Sequence, residues 1–512
     1  MVDWNEETDV VVIGSGGGLA GAYTAAREGL SVKVIEATDK FGGTTAYSGA
    51  GLYCPNNAVL KRAGDDDTPE DAREYFRAVV GDTAPVELQD AYLDNGPALI
   101  DYLEEDAGGY FEFMAYPWPD YFHDAPKSRP GGRHIMPALL DPARLGTLRD
   151  VLRPQPGPDR LGMPLPEGDM FGGQSLIGRF LMALTDQGVD LQLGTSFEEF
   201  VVEDGAVVGV IVDHAGKRET IRARRGVIVA AGGFERNDAM RSKYGVPGVG
   251  RDTMGPEANL GKPIQAGIEI GADIASMSEA WWSPGLTHPE GNSAFSLCFT
   301  SGIFVNQEGV RFTNEGAPYD RAGRDIIEQM EAGTTTLPFW MIYDNRTGGI
   351  PPIDSCTQPM VEPEKYYEAG LWKTADTIAE LAEQIGVPAD ALVATVERFN
   401  KLAANGVDED FGRGNEPYDR AFNEDGNALV PLEQGPFYAA TFGISDLGTK
   451  GGLVTDTTAR VLDTSGNPIP GLYASGNSMA PASGNAYPGG GNPVGASMLF
   501  SHLAAKDMVA NR

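Results

Sequence analysis

Short apolar runs rich in β-branched residues, separated by glycine-rich turns, open this chain. "DVVVIG" (Asp9–Gly14) shows no polar alternation, the pattern of a strand covered on both faces in a parallel sheet. "GAYTAAREG" (Gly21–Gly29) is alanine-rich and closes on glycine, as a helix does. "SVKVIEA" (Ser31–Ala37) predicts a second strand ending in Glu36. The opening is therefore strand, loop, helix, strand. Further on, Ala206–Gly233 alternates on either side of "HAGK", as a hairpin would, and then supplies a separate buried strand, "GVIVAAGG".

From about Trp281 the texture changes. "GIFVNQEGVRF" and "PFWMIYD" predict strands, and "TADTIAELAEQIGVPADALVATVERFNKLAANG" has apolar residues three and four apart. That spacing predicts two helices, parted near Gly386-Val387-Pro388. Near Gly448 the first texture returns in "TKGGLVTD", "ARVLD" and "IPGLYASGN". The expected organisation is one domain over 1–280 and 448–512, with a second over 281–447 inserted into it. The fold class is α/β: a Rossmann-like dinucleotide domain with an inserted α+β catalytic domain.

Composition narrows the class. A chain of 512 residues exceeds what one core accommodates. Three scattered cysteines, Cys54, Cys298 and Cys356, show no metal spacing and suit a reducing compartment. The net charge of −34 opposes a nucleic-acid partner, whose phosphates it would repel. No apolar stretch approaches the length of a membrane span, and the acidic N-terminus resembles no targeting segment. A cytoplasmic protein, at most peripherally bound to a membrane, is expected.

The first turn carries chemistry. Gly14, Ser15, Gly16, Gly17 and Gly18 follow the first strand, where bare backbone approaches a pyrophosphate and the next helix offers free N–H groups. Glu36 stands where an acid accepts hydrogen bonds from a ribose. The usual third glycine is replaced by Leu19, with glycine at Gly18 and Gly21. The loop reads one residue short, and looser cofactor retention is expected.

"DKFGGTTAYSGAGLY" (Asp39–Tyr53) then offers Gly43, Thr44, Thr45, Ser48 and Gly49, small groups suited to phosphate and the flat face of a flavin. With "AAGGFE", which contains Ala231, and "GLYASGNSMA", which contains Gly476 and Asn477, the chain resembles the FAD-dependent fumarate reductases and ketosteroid dehydrogenases. In that resemblance Asn477 meets the ribityl chain. No histidine lies near Gly42–Tyr53, so non-covalent FAD is expected. "NAYPGGGNPVG" (Asn485–Gly495) places Asn492 as an N-cap, with Pro493 and Val494 opening a helix. Its positive end would face a reduced flavin, and Tyr487 beside three glycines adds a hydroxyl donor.

Together with "PYDR" (Pro318–Arg321), "WPDYF" (Trp118–Phe122) and "SDLGTKGGL" (Ser445–Leu453), this segment closely resembles the 3-ketosteroid Δ1-dehydrogenases along essentially the whole chain. The resemblance implies oxidation of the C1–C2 bond of a 3-ketosteroid. It places a proton-abstracting tyrosine on Tyr319 and its assistant on Tyr121. The groups holding the C3 carbonyl fall on the Tyr487 hydroxyl and the Gly491 N–H. A steroid needs apolar walls, for which Tyr116, Phe295, Trp281 and Trp282 are candidates. A quinone or dye is the expected electron acceptor. Alternatives are a Δ4-(5α)-dehydrogenase, a fumarate-reductase-like enzyme, and a flavin-bearing steroid binder without catalysis. The five histidines are scattered; none forms a ligand pair, His502 is expected to be structural, and no metal is predicted.

Overall fold

The computed structural model describes residues 2–165, 167–423 and 425–511. It divides into two compact units: Met1–Val246 with Gly255–Ala280 and Gly448–Arg512, and Pro247–Met254 with Trp281–Leu447. Among the described residues no helix is long and apolar enough to cross a membrane.

The first unit is built on a sheet whose strands run in the order Arg460–Leu462, Pro468–Ala474, Lys217–Val229, Glu6–Ile13, Val32–Ile35 and Asp190–Gln192. From Pro468–Ala474 to Asp190–Gln192 all neighbours are parallel. The Val10-Val11-Val12 core of the first strand has no exposed surface, as its unbroken apolar run predicts. Register aligns Ile13 with Ile35 and with Val229, and Val229 with Ala474. Gly14, Glu36, Ala230 and Ser475 therefore all leave the sheet at one edge, the carboxyl ends of parallel strands where α/β folds place their ligands.

The hairpin about "HAGK" is present, but the separate strand expected after it is not. Lys217–Val229 is one continuous strand, antiparallel to Ala206–His214 at its start and parallel to Glu6–Ile13 along its length. Gly226, at φ 156°, lets it bend between those two roles. The first helix begins earlier than its alanine run suggested, at Gly18, and ends at Arg27.

The second unit carries a sheet ordered Ile303–Val305, Phe339–Tyr343, Phe437–Thr449, Ala280–Thr287, Ser293–Leu297 and Asp354–Ser355, with Trp372–Ala375 beside Phe437–Thr449. The two expected helices are Ile378–Ile385 and Ala389–Asn405, parted by left-handed Gly386. Their apolar faces, including Leu381, Leu392 and Phe399, pack on Ile303, Ile342 and Ala439 of the sheet. "GIFVNQEGVRF" is not one strand. It turns back at Asn306–Gly309, with Val305 bridging Arg311, because Gly309 takes φ 72°.

Candidate functional site

The first loop is held by a small network of side chains. Ser15 Oγ accepts from the Gly42 N–H at 2.8 Å and donates to Glu36 Oε2 at 2.6 Å. Glu36 Oε1 accepts from the Thr38 N–H at 3.0 Å and its hydroxyl at 2.8 Å. Three bonds on a carboxylate that accepts about four leave room for a ribose hydroxyl. Gly14 sits at φ 100°, and a Cβ there would lie 2.3 Å from the Ala230 carbonyl oxygen. Only glycine fits.

Displacement of the third glycine to Gly18 and Gly21 does not open the packing. A side chain on Gly18 would strike Ala230 Cβ at 2.7 Å, and one on Gly21 the Ser501 carbonyl at 2.7 Å. These two glycines bring the helix against its sheet and against the last helix, while Leu19 is fully buried. Strand and helix are separated by residues 14–17, with the helix N-terminus open to an anion.

Around this loop Gly14, Gly16, Gly43, Thr44, Thr45, Ser48, Ala231, Gly476, Asn477, Gly491 and Pro493 are only half-buried, Gly49 is exposed, and Ser15, Gly17, Gly18 and Val494 are buried. Thr44 and Thr45 lie in a short helix, Gly43–Tyr47. Thr44 Oγ1 receives a bond from Asn259 Nδ2 at 3.3 Å, and the same amide donates to Glu235 Oε1 at 2.6 Å. Glu235 is fully buried and also accepts from the Thr449 hydroxyl at 3.2 Å. Neither Asn259 nor this carboxylate's role was visible in the sequence. The donor set, the fixed acceptor at Glu36 and the glycine-lined edge fit FAD.

The segment after Tyr487 departs from expectation in its cap. The last helix runs Asn492–Ala510 and is capped by Gly491 at φ 87°, not by Asn492. Asn492 is the first helical residue and Pro493 the second; Asn492 Oδ1 is buried without a hydrogen-bond partner. The reason is steric. A Cβ on Gly491 would lie 2.1 Å from the Gly51 carbonyl carbon, so the backbone turns there through a conformation open to glycine. Among the described residues no acceptor within the chain takes the Gly491 N–H.

Tyr487 and Tyr121 meet. Their ring centroids are 5.1 Å apart at 60°, and both are buried. Backbone pairing sets this: Asp120 bridges Gly489, and the Tyr121 N–H donates to the Pro488 carbonyl at 3.0 Å. The same carbonyl accepts from Tyr75 Oη at 2.5 Å, and Lys450 Nζ, itself buried, holds the Ala486 carbonyl at 2.7 Å. Behind the pair, the fully buried guanidinium of Arg133 bonds Asp67 (Nε to Oδ2, 2.6 Å) and Asp120.

His134 was not expected here. It is paired in register with Tyr53, and its Cδ2 is 3.3 Å from where a Cβ on Gly51 would stand. Burial pushes its pKa down to about 4, so it is a neutral imidazole. Tyr116, exposed at the rim, lies 5.7 Å from its ring. Of the other four histidines, His214 bonds Thr195, His288 bonds Ser355 and Tyr366, and His502 bonds Thr24, while His123 faces the Asp124 carboxylate at 2.9 Å. Among the described residues no cluster could hold a metal ion.

Within the second unit Tyr319 is the first residue of the helix Tyr319–Glu331. It is half-buried, and its ring meets that of Phe295 edge-on at 5.1 Å. The helix start is fixed by Asp320, which accepts from the Trp282 N–H at 3.1 Å and from Arg324 Nε at 2.9 Å. Trp281 and Trp282 are buried in the sheet, and Gly323 packs on Trp282 so closely that a Cβ would lie 2.6 Å from its Cβ. The tetrapeptide "PYDR" recurs at Pro417–Arg420. There the tyrosine, Tyr418, is buried against Phe422.

Comparison with known proteins agrees with these features. The FAD binding domain family matches residues 9–494. The chain is 38% identical to 3-oxosteroid 1-dehydrogenase of Mycolicibacterium smegmatis, over 99% of this chain and 98% of that protein. It is 38% identical to the Rhodococcus opacus enzyme of the same name, over 99% of this chain and 100% of that one. The crystal structure of 3-ketosteroid delta1-dehydrogenase from Sterolibacterium denitrificans, in complex with 1,4-androstadiene-3,17-dione, superposes with a TM-score of 0.90 at 32% identity, covering 99% of this chain and all of that one. The chain is an FAD-dependent oxidoreductase and belongs to the 3-oxosteroid 1-dehydrogenase family.

Proposed function

We propose that this enzyme introduces a C1–C2 double bond into ring A of 3-ketosteroids. The observation that carries the reading is the buried Tyr487 set against Tyr121, four residues ahead of the Gly491 N–H, for which no acceptor is found among the described residues. A phenol and a main-chain N–H are the two donors an enolising ketone requires. Tyr487 and Gly491 bind the C3 carbonyl oxygen and stabilise the charge that grows on it as the C2 proton leaves. Tyr319 takes that proton. Because an ordinary phenol has a pKa near 10, its basic form needs support, which Tyr121 supplies by hydrogen bonding. Tyr116 and Phe295 contribute apolar surface to the steroid, whereas Trp281 and Trp282 hold the sheet beneath the Tyr319 helix.

Gly14–Gly18, Glu36, Gly43, Thr44, Thr45, Ser48, Gly49, Ala231, Gly476, Asn477 and Asn492–Val494 would hold FAD, which would supply a hydride acceptor at N5 and pass its electrons to an external quinone or dye. Anaerobic mixing with androst-4-ene-3,17-dione tests the proposal. Bleaching of the oxidised flavin with formation of the 1,4-diene is expected. A spectral shift without bleaching marks a binder, and desaturation at C4–C5 of a ring-saturated 3-ketosteroid in place of C1–C2 marks the Δ4 activity; either result overturns the reading.

A further inference from the structure

Each turnover releases one proton from C2, and that proton must leave a site in which Tyr121 and Tyr487 are buried. We propose that His134 is the positioning residue that passes this proton from Tyr121 to solvent beside Tyr116; the inference rests on the Δ1-dehydrogenase reading above. Three observations support it.

The first is proximity. A methyl group placed on Gly490 would lie 3.4 Å from His134 Cε1 and 3.5 Å from Tyr121 Oη. Both ring nitrogens of His134 are bonded to that carbon, so imidazole and phenol border one point over the glycine wall. A single water spans a gap of that kind with little loss of hydrogen-bond strength.

The second is vacancy of partners. His134 is nine-tenths and more buried, yet among the described residues neither ring nitrogen has a hydrogen-bond partner. Neither nitrogen is among the fully enclosed polar atoms left unpaired, so each keeps an open side that water can reach. The other histidines held inside the protein, His288 and His502, each bond a hydroxyl. His134 alone of these keeps both nitrogens for a passing proton.

The third is direction. Tyr121 is 2% exposed and Tyr116 is 37% exposed, and the His134 ring packs 5.7 Å from the latter. The imidazole thus stands between an interior phenol and the surface. Burial alone depresses its basicity, and no charged side chain adds to the effect; the groups around it are the Tyr116 and Trp118 rings, the Tyr121 phenol and its cross-strand partner Tyr53. Such a ring does not retain the proton. It accepts the Tyr121 proton at one nitrogen and releases one from the other, ending neutral, while the proton that Tyr319 took from C2 passes on to Tyr121, so that in the same turnover Tyr121 is a phenol again and Tyr319 a phenolate.

The test uses the FAD-loaded enzyme and its His134→Ala, His134→Phe and His134→Asn variants. One measurement is deuterium uptake at C2 of androst-4-ene-3,17-dione in heavy water, followed by mass spectrometry on dithionite-reduced enzyme, where no hydride can leave. The other is the single-turnover rate of flavin bleaching. H134A and H134F are expected to bind steroid with unchanged spectral shift, but to lose about tenfold or more in both rates, in the range of general acid–base effects. Added imidazole is expected to restore H134A several-fold, and not H134F, whose ring fills the space. Wild-type rates in H134F overturn the proposal. So does a slow H134A that ignores imidazole, since His134 then only packs. If H134F does not retain FAD, H134N is read in its place, and exchange at the wild-type rate overturns the relay. Failure of the wild-type enzyme itself to exchange or bleach counts against the function instead.

Discussion

The rings of Tyr121 and Tyr487 lie 5.1 Å apart and inclined at 60°, brought together from distant segments by the pairing of Asp120 with Gly489 and the Tyr121 N–H bond to the Pro488 carbonyl. A hydroxyl held this way is a fixed dipole, which costs no reorganisation as charge develops. Tyr487→Phe keeps the ring packing and deletes the donor. Turnover is expected to fall about 10²–10³-fold, with FAD content unchanged. A smaller loss in anaerobic flavin bleaching would remove the hydroxyl from the carbonyl site.

Tyr319 and Tyr418 provide an internal comparison, since both sit in "PYDR". Tyr319 is half-buried at a helix start against Phe295, and Tyr418 is a core residue. Tyr319→Phe is expected to leave steroid binding nearly intact while kcat drops about 10²-fold or more. Tyr418→Phe, normalised to bound FAD, is expected to keep its turnover. Equal loss in both would mean that the motif serves folding rather than proton transfer.

The strand, glycine loop, helix and acid were readable because each is local: an apolar run, a turn residue, an alanine stretch and one carboxylate at a fixed spacing. The paired helices of the second unit were readable for the same reason. What was not readable depends on pairing between distant segments. His134 reaches the glycine wall only because it is in register with Tyr53, and Asp120 reaches Gly489 across a single bridge. Asn259 joins Glu235 and Thr44 from a turn with no pattern of its own. The misplaced N-cap has the same origin. Asn492 has the right side chain for a cap, but the closeness of Gly51 decides in favour of Gly491.

Glu36 is the acceptor of three hydrogen bonds that tie the first turn to the Thr38 backbone and hydroxyl. Glu36→Gln replaces one oxygen by an NH₂ that cannot accept. At least one of Ser15 or Thr38 then loses its partner, at about 1–3 kcal/mol, and the ribose acceptor is weakened as well. FAD affinity is expected to fall about tenfold to a hundredfold, measured by recovery of flavin fluorescence on dilution, while the thermal midpoint of the apoprotein drops by a few degrees. Undiminished affinity would take Glu36 out of the cofactor site.

Arg133 pairs with both Asp67 and Asp120 where none of the three side chains touches solvent. Arg133→Met strips Asp120 of its paired cation and leaves Asp67 only Arg129 Nη1, 3.8 Å away, a change that costs about 3–5 kcal/mol when a buried pair is broken. A lowered urea midpoint is expected, with FAD and steroid affinity lost together, because Asp120 precedes Tyr121. The double variant Arg133→Met/Asp67→Asn is expected to regain part of that stability, since one stranded charge is gone. Additive losses would show that the cluster is not coupled.

Acid sensitivity follows from the same burial. The His502 pKa is pushed down to about 4 by desolvation first and by the Lys506 cation second, and burial alone takes His134 to about 4. Around His502 stand Thr24, Tyr102, Glu28, Arg27 and Lys506, and only Glu28 favours its charged form. In the unfolded chain a histidine titrates near 6.5. Between pH 6.5 and 4 the unfolded state therefore binds a proton that the folded state refuses at each ring. Stability from these groups is whole above pH 6.5 and declines as the pH falls through the window, by about 3 kcal/mol for each ring at its end. Carboxylates titrate there too, so the useful quantity is a difference between proteins. His502→Gln keeps a hydrogen-bonding group for Thr24 and removes the titration. Its unfolding midpoint, followed from pH 7 to pH 4.5, is expected to fall less steeply than that of the parent protein, by up to one proton in slope. Parallel curves would mean that the ring is protonated inside the fold, and that the depressed basicity assigned to it is wrong.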